Sequence, residues 1–469
     1  MTDAVQNPNE LPQSPVSRQL NQPPIPAQAQ PIMPVPPTPP SGDALPKKSS
    51  VFSFKNVLKF FIGLLAVSIF FVVLFGVIFP RLGTKSTGVD LTLWGVLEDQ
   101  KVMDNVLSGF EKENPQIKVT YDKEDLKDYR DRLVSKIKNG TGPDVFMFHN
   151  TWYPELQDVL LPIPSEVITK DNFEKSYYPV AKKDLIKNGA IYGIPMNIDT
   201  LSLYVNSDLL KQAGQTAPKT WNSFIDVSHA LTVKDQAGNI KTSGAALGAF
   251  DNVAHASDLV SLLFVQDGVD LNSFTPVDRI SDALNFYTSF AREDIKVWDN
   301  TLDPSVLAFT KGNLAMLFGF YSDYQSIKSA NPNLSFNVVP VPQLTGQNIN
   351  VASYFADGVS VKGTHQKEAL LLMKYLARKE TASKFSQPSP FSSDGDKLKG
   401  TPTFVFSSQG GTAVSSYLTN QIDNGLNSKL SSALGTAINS IISGTATPDS
   451  AAQTLLSSFS QILGQASPK

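Results

Sequence analysis

The sequence predicts an α/β fold of two lobes with a cleft between them, preceded by a single transmembrane helix and a disordered proline-rich tail. Three observations lead to this prediction: an uncharged apolar run near the N-terminus, short apolar strands that alternate with amphipathic helices after it, and a length of 469 residues. A chain of that length is too long to fold around a single hydrophobic core, so we expect at least two domains.

Residues 1–54 form the predicted tail, which we place in the cytoplasm. The first 50 residues contain 13 of the 32 prolines of the chain, among glutamine, asparagine and serine. Proline has no backbone N–H group to donate to a hydrogen-bond ladder. A proline-rich segment such as Pro31–Pro40 therefore favours the polyproline II conformation. We favour a plain flexible extension over a PxxP motif that docks to a partner.

Residues 55–80 form the predicted membrane anchor. The run Phe60–Phe79 contains no charged residue, and about 20 helical residues cross the roughly 30 Å of a bilayer's hydrocarbon core. Lysines concentrate before the run, which places the N-terminus in the cytoplasm and the C-terminal domain outside the cell membrane. A cleaved signal peptide is the alternative, but its apolar core would be only about 7–15 residues long.

Composition excludes several classes of function. A net charge of -3 gives no electrostatic case for binding nucleic acid. The chain has no cysteine and four scattered histidines without an HExxH pair, so we predict neither a metal site nor any cofactor.

After a spacer at residues 81–88, strands and helices alternate as in a parallel, doubly wound sheet. The predicted strands are Leu91–Trp94, Ile117–Tyr121 and Asp144–Phe148, and the predicted helices between them are Val102–Glu113 and Tyr129–Lys138. Ligands on such sheets bind at the carboxyl ends of the strands. Those ends are Trp94–Glu98 and His149–Trp152.

The stretch Tyr192–Leu210 is predicted to cross from one lobe to the other. It passes from a turn into a strand, and Asn197 and Asp199 lie where the turn becomes the strand, so we expect Asp199 to face the cleft.

Further helices and strands are predicted in the rest of the chain. Helices are expected at Trp221–Leu231, Asp258–Val265, Ile280–Ala291, Glu368–Arg378 and within Ser415–Leu463. Strands are expected at Gly244–Phe250, Phe336–Val341 and Ala356–Val361. Ser305–Thr310 leads into Lys311–Tyr324, which is predicted to be a turn, a short strand and a loop.

Six segments in order resemble the extracellular solute-binding proteins of ABC importers, in the maltose-binding-protein-like family 1. They are LTLWGVLED, FEKENPQIKV, GPDVFMFHNTW, YGIPMNIDTLSLYVNSDLLKQAG with PKTWNSF, FTKGNLAM and GTATPDSAA. The resemblance implies the two-lobed periplasmic-binding-protein-like fold (type II), with hinge crossings near Met196–Thr200, Tyr354–Gly358 and Lys399–Val405. Lobe 1 would then comprise residues 89–198 and 358–401, and lobe 2 residues 199–357 and 402–469.

Sugars are bound by aromatic faces and by planar carboxylates or amides that pair with hydroxyl groups. The candidate ligand-binding residues that fit this chemistry are Trp94, Glu98, His149, Asn150, Trp152, Asn197, Asp199, Trp221, Asp251, Phe320, Tyr321 and Tyr354. Of these, Tyr321 matches the position where the family usually offers an aromatic ring. Packing alternatives stay open for Trp94, Trp221 and His149, and the stretch Gln421–Asn427 is a further candidate for closing the pocket.

We therefore expect a monomeric, membrane-anchored binding protein that delivers a small-molecule solute, a carbohydrate by resemblance, to ABC permease subunits. Only four tryptophans are present, which argues against a long oligosaccharide and leaves a smaller sugar or another polar solute open. One alternative is a sensory ectodomain that signals without transport. The other is a glycosidase with Glu98 and Asp199 as paired carboxylates, which we disfavour because no further catalytic motif is present.

Overall fold

The computed structural model describes residues 65, 67, 68, 71, 88–292, 295–394, 398–419 and 425–466. The chain divides into two units, Met1–Leu82 and Gly83–Lys469. Of the first unit, the four described residues are helical and exposed. The predicted tail and most of the predicted anchor lie outside the described residues. Among the residues that are described, no helix combines the length and the apolar character needed to cross a membrane.

The described part of the second unit contains fifteen strands. They are β1 Val89–Gly95, β2 Ile117–Lys123, β3 Val145–His149, β4 Leu160–Leu161, β5 Ile186–Lys187, β6 Ala190–Ile191, β7 Ile194–Pro195, β8 Ser202–Asn206, β9 Val233–Lys234, β10 Ile240–Thr242, β11 Met316–Gly319, β12 Phe336–Val339, β13 Asn350–Ala352, β14 Phe355–Ser360 and β15 Ala413–Ser415.

The same described part contains sixteen α-helices. They are α1 Gln100–Glu113, α2 Tyr129–Lys138, α3 Tyr153–Leu156, α4 Lys170–Ser176, α5 Pro179–Leu185, α6 Ser207–Gln212, α7 Trp221–Leu231, α8 Ala256–Gln266, α9 Val277–Ser289, α10 Ser305–Thr310, α11 Tyr321–Ala330, α12 Gln366–Leu376, α13 Lys379–Ala382, α14 Phe404–Ser408, α15 Leu426–Ile442 and α16 Pro448–Ala466.

The larger sheet has the strand order β2-β1-β3-β14-β4, and β7 also pairs with β14. The predicted parallel pairing is confirmed for β1 with β2 and for β1 with β3. The strand β14 comes from some 200 residues later in the chain and pairs antiparallel with β3, so that Phe355 lies opposite His149. A wholly parallel sheet was therefore the wrong expectation. The start of β14 meets the carboxyl end of β3 at one edge of the sheet.

The second unit contains two separate hydrophobic cores. One is built on the larger sheet and takes its buried residues from 91–198 and 352–391, with Ala413. The other surrounds a three-stranded antiparallel sheet of order β11-β8-β12 and takes its buried residues from 201–351 and 406–459. The two sheets are thus the scaffolds of two lobes.

The segments that pass between the two cores are bonded to each other. Thr200 and Ala352 form an isolated antiparallel bridge, and the Ser353 amide donates to the carbonyl of Asp199 at 2.9 Å. The strand β13 pairs in parallel with β15 close by. The chain therefore crosses between the cores through a small hydrogen-bonded bundle of backbone.

Three predictions for the second core are wrong, one as a whole and two in part. The segment Gly244–Phe250 is not a strand, because Gly248 adopts a positive φ of +98° and only Ser243 forms a bridge there. The predicted loop at the end of Lys311–Tyr324 is the start of helix α11, whose first amides are capped by carboxylates. The segment Ser415–Leu463 was predicted to be helical from its start. Its first residue, Ser415, is instead the last residue of β15, and the first helix in the segment, α15, starts at Leu426.

The N-terminus of α7 gives a first testable prediction. Thr220 Oγ1 accepts from the Ser223 amide at 3.3 Å, and Ser223 Oγ accepts from the Thr220 amide at 3.2 Å. Such a reciprocal cap satisfies two amides at the start of a helix, so Thr220→Ala should lower the free energy of unfolding by about 1 kcal/mol. Urea denaturation measures the change. Thr436→Ala, an exposed threonine within α15, is the control and should change stability far less; equal losses would contradict the capping account.

Candidate binding cleft

A cavity of about 330 Å³ lies where the two cores face each other. Both cores contribute to its wall, together with the segments that cross between them. The lining residues are Val96, Leu97, Leu126, Asn197, Asp199, His255, Phe320, Ser322, Gln325, Ser353, Phe355, Gln387 and Thr419. The wall therefore combines two phenylalanine rings with carboxylate, amide and hydroxyl groups.

Asp199 is the central polar group of this cavity. Its side chain is only 7% exposed. The Oδ2 atom accepts from the backbone amide of Tyr321, the first residue of α11, at 2.9 Å, whereas Oδ1 has no partner among the described residues. Burial raises the pKa of the Asp199 carboxyl well above its usual range, against the opposing hydrogen bond from Tyr321. One oxygen therefore holds the helix start, and the other is buried without a hydrogen-bond partner among the described residues.

Asn197 precedes Asp199 by two residues and also lines the cavity. Its Oδ1 atom accepts from the Phe355 amide at 3.0 Å. This bond ties the crossing segment to the start of β14 and holds the Phe355 ring in the wall. The structure thus places both polar residues of the predicted crossing at the cleft.

Glu98 lies beside the cavity, at the end of the loop that follows β1. Its side chain is 5% exposed, and Oε1 has no partner among the described residues. Burial raises the pKa of this carboxyl, and a hydrogen bond with Gln387 acts in the opposite direction. Because Gln387 itself lines the cavity, this hydrogen bond links Glu98 to the cavity wall.

His255 is a wall residue that sequence reasoning missed. Its Nε2 atom is 2.8 Å from Asp323 Oδ2, and Nδ1 is 3.7 Å from Asp258 Oδ2, too long for a hydrogen bond. Burial lowers the pKa of His255, but the carboxylates of Asp323 and Asp258 outweigh it and raise the pKa to about 10. The cleft therefore contains a buried imidazolium at neutral pH. His255 has a φ of +57° at the start of α8, and no sequence pattern signals that position.

The three predicted residues after β3 are buried in the first core rather than exposed in the cavity wall. His149 Nε2 is 2.9 Å from Ser353 Oγ, and its Nδ1 is 2.9 Å from Thr151 Oγ1. Trp152 packs edge-on against Phe355 with the ring centroids 6.0 Å apart. These residues support the wall through Ser353 and Phe355, so they position the groups that line the cleft.

His149 provides a prediction about pH. Burial lowers its pKa from 6.5 to about 3, so below pH 6.5 the unfolded state binds a proton that the folded state does not. Stability should be complete above pH 6.5 and fall as the pH decreases, by about 2 kcal/mol at pH 5. Denaturation curves at pH 7.5 and pH 5 should show this loss, and His149→Gln should reduce it. His229→Gln, at an exposed position, is the control; an unchanged pH dependence in His149→Gln would contradict the assignment.

Asn150 and Tyr354 meet at a different place, around the half-buried carboxylate of Asp184. The Tyr354 hydroxyl donates to Asp184 Oδ2 at 2.8 Å, and Asn150 Nδ2 donates to the same oxygen at 3.1 Å. Ser415 of β15 also donates to it, at 2.5 Å. This network joins α5 to the crossing segments, and its surroundings are a separate cavity of about 300 Å³.

Of the five remaining predicted residues, only Phe320 lines the cleft. The Tyr321 ring packs against Tyr324, with 5.9 Å between centroids. Trp94 Nε1 donates to Asp122 at 3.2 Å on the flank of the sheet. Trp221 is a core residue whose Nε1 donates to Gln266 at 2.7 Å, as the packing alternative expected. Asp251 is exposed and lines a separate surface pocket beside the cleft.

The stretch Gln421–Asn427 lies mostly outside the described residues. Its last residue, Asn427, is buried, and its Nδ2 donates to Thr151 Oγ1 at 2.9 Å. Among the described residues, no three of His, Cys, Asp and Glu are grouped so that they could hold a metal ion.

Comparisons with known proteins agree on one kind of protein. A family model described as bacterial extracellular solute-binding protein matches residues 106–393. The multiple sugar-binding protein of Streptococcus mutans is 22% identical over 306 residues, which cover 61% of this chain and 70% of that protein. A binding protein of Brucella abortus shows the same identity over 307 residues, 61% of this chain and 71% of its own length.

Solved structures share the fold. The solute-binding protein of an ABC transporter from Thermotoga lettingae, bound to α-D-tagatose, superimposes with a TM-score of 0.63 at 20% identity, over 80% of this chain and 100% of that one. A cyclo/maltodextrin-binding protein complexed with maltotetraose superimposes with a TM-score of 0.66 at 16% identity, over 81% and 98% of the two chains. Both neighbours are two-lobed α/β binding proteins, in agreement with the predicted fold.

Proposed function

The chain belongs to the bacterial extracellular solute-binding protein family, and we propose that it captures a sugar-like solute between two closing lobes and passes it to an ABC importer. Membership in this family makes it a binding protein rather than an enzyme, and makes its solute-binding domain extracellular. The expected resemblance to this family is thereby confirmed.

The observation that carries the sugar proposal is the cavity between the two cores. Phe320 and Phe355 offer ring faces to the C–H groups of a sugar, and Asp199 Oδ1 offers an unused acceptor to a hydroxyl. A cavity of about 330 Å³ suits a small saccharide better than a long one. The names of the Streptococcus mutans relative and of the bound neighbours point to the same class of ligand.

The lobes are proposed to move about the crossing segments near Met196–Thr200, Tyr354–Gly358 and Lys399–Val405. Lobe 1 would comprise residues 89–198 and 358–401, and lobe 2 residues 199–357 and 402–469. Asp199 bonds through its carbonyl to Ser353 in the crossing and through Oδ2 to the start of α11. A solute held by Oδ1 would therefore act directly on the joint between the lobes, and lobe closure would bury it.

We further propose that residues 55–80 anchor the protein in the cell membrane as a monomer, with residues 1–54 in the cytoplasm. The uncharged run Phe60–Phe79 supports this proposal. An anchor keeps the binding domain close to the permease subunits, because it raises their effective concentration without any added contact.

The test is a calorimetric screen of the full chain, purified in detergent, against mono-, di- and trisaccharides, with amino acids and polyamines as controls. A solute that binds only the folded protein also raises its melting temperature by mass action. Saturable binding of one saccharide class, with a matching rise in melting temperature, is the expected result. Binding of amino acids or polyamines alone would replace the sugar assignment, and hydrolysis of a bound saccharide would overturn the binding function.

A further inference from the structure

The groups around the cleft include more carboxyl groups than cations. Glu98, Asp199, Asp258 and Asp323 are all buried or nearly so, and Asp258 and Asp323 flank the imidazolium of His255. Within the described part of the chain, neither lysine nor arginine lines the cavity. The nearby Lys123 pairs with the exposed Asp99 instead. One cation therefore faces four carboxyl groups.

The hydrogen bonds show which carboxyl groups lack compensation. Asp323 is satisfied by His255 and by the Phe320 amide at 2.9 Å. Asp258 accepts from the Thr419 hydroxyl, and its Oδ2 atom, which has no hydrogen-bond partner among the described residues, lies 3.7 Å from the His255 imidazolium. Asp199 Oδ1 and Glu98 Oε1 have no partner among the described residues, although their side chains are 7% and 5% exposed. The cleft thus holds two buried carboxyl groups, each with an unused oxygen and without a counter-ion in contact.

Closing the lobes over a neutral sugar would keep Asp199 and Glu98 protonated or, where they ionise, leave their charge uncompensated. Hydroxyl groups can donate to both oxygens, but they carry no charge, and burying an unpaired carboxylate is costly. An ammonium group supplies donors and the missing positive charge at once, in the form of a charge-assisted hydrogen bond.

We propose that the preferred solute is an amino sugar, whose ammonium group pairs with Asp199 while a second donor of the ligand reaches Glu98. This inference rests on the proposed function, because it specifies the class of sugar that the same cleft accepts. The Phe320 and Phe355 rings would cover the C–H faces of the sugar, as for a neutral one.

Binding would then be linked to release of a proton. Burial raises the pKa of the Asp199 carboxyl, with a further contribution from Asp323 and an opposing one from His255, so the empty cleft holds a proton there below that raised pKa. The ammonium ligand binds the carboxylate, and the carboxyl proton passes to the solvent. Glu98 is affected in the same direction by burial and by Asp99, with Gln387 and Lys123 acting against the rise.

The experiment compares matched sugars on the full chain in detergent. The pairs are glucosamine and glucose, galactosamine and galactose, and deacetylated chitobiose and cellobiose. In each pair the amino sugar carries ammonium where its neutral partner carries hydroxyl. Titration calorimetry in two buffers of different ionisation enthalpy gives the affinity and the number of protons released. We expect one amino sugar to bind at least about tenfold more tightly than its neutral partner, with proton release.

Two isosteric variants test the assignment to residues. Asp199→Asn retains an oxygen that can accept from the Tyr321 amide, and Glu98→Gln preserves size, so both should fold. Each should reduce the preference for the amino sugar, and Asp199→Asn should remove the proton release, whereas Asp226→Asn, at an exposed position of α7 outside the cleft, should keep both. A neutral sugar that binds as well as its amino partner overturns the inference and leaves the binding function intact. If no saccharide binds, the proposed function fails with it.

Discussion

Replacement of Asp199 by alanine is expected to weaken solute binding by roughly a hundredfold, about 3 kcal/mol. The change removes the unused Oδ1 acceptor from the cavity and also the Oδ2 atom that holds the Tyr321 amide at 2.9 Å. The first loss takes away a contact with the ligand, and the second frees the start of α11, which carries Phe320 and Ser322 at the wall. Titration calorimetry with the saccharide found in the screen measures the effect.

Asp251→Ala is the matched control for this experiment. Asp251 is an exposed aspartate of the second core that lies outside the cleft, so its loss should leave the affinity within about twofold. Circular dichroism and the melting temperature establish that Asp199→Ala is folded. A folded Asp199→Ala protein with unchanged affinity would show that the solute binds elsewhere. A large loss in Asp251→Ala would extend the site into the separate surface pocket beside the cleft.

Local patterns in the sequence predicted much of the first core. The strands β1, β2 and β3 and the helices between them follow from short-range periodicity and from breakers such as Asn114-Pro115. The position of β14 could not be predicted in this way, because its antiparallel pairing with β3 joins residues about 200 positions apart. Gly244–Phe250 has a strand-like apolar pattern, but contacts with the rest of the core hold it as an irregular segment.

The candidate site was predicted best where backbone geometry and side-chain chemistry coincide. Asn197 and Asp199 lie at a change from turn to strand, and both line the cleft. Trp221 was uncertain because the start of an amphipathic helix can face a core or a ligand, and the structure pairs it with Gln266. His255 could not be found, since its role depends on Asp323, a residue brought to it only by folding.

The remaining large effect concerns Asp357, a carboxylate in the middle of β14. It is 1% exposed, and its Oδ1 atom has no hydrogen-bond partner among the described residues. It lies between Met147 of β3 and Ile194 of β7. Burial raises its pKa from 3.8 to about 7. The first core therefore contains a carboxyl group that stays protonated in the folded state up to about pH 7.

Asp357→Asn is accordingly expected to stabilise the protein at alkaline pH. The folded state keeps this proton above pH 4, where the unfolded state has lost it, so the stability it contributes is complete below pH 4 and lost as the pH rises to 7. Asparagine does not ionise, so the variant should gain up to about 4 kcal/mol over the parent at pH 8 but about 1 kcal/mol at pH 4.5. Urea midpoints at both values measure the gain. Asp303→Asn, which removes only an exposed pair with Lys311, should change little at either pH. An equal gain for Asp357→Asn at both values would mean that packing, rather than ionisation, governs this position.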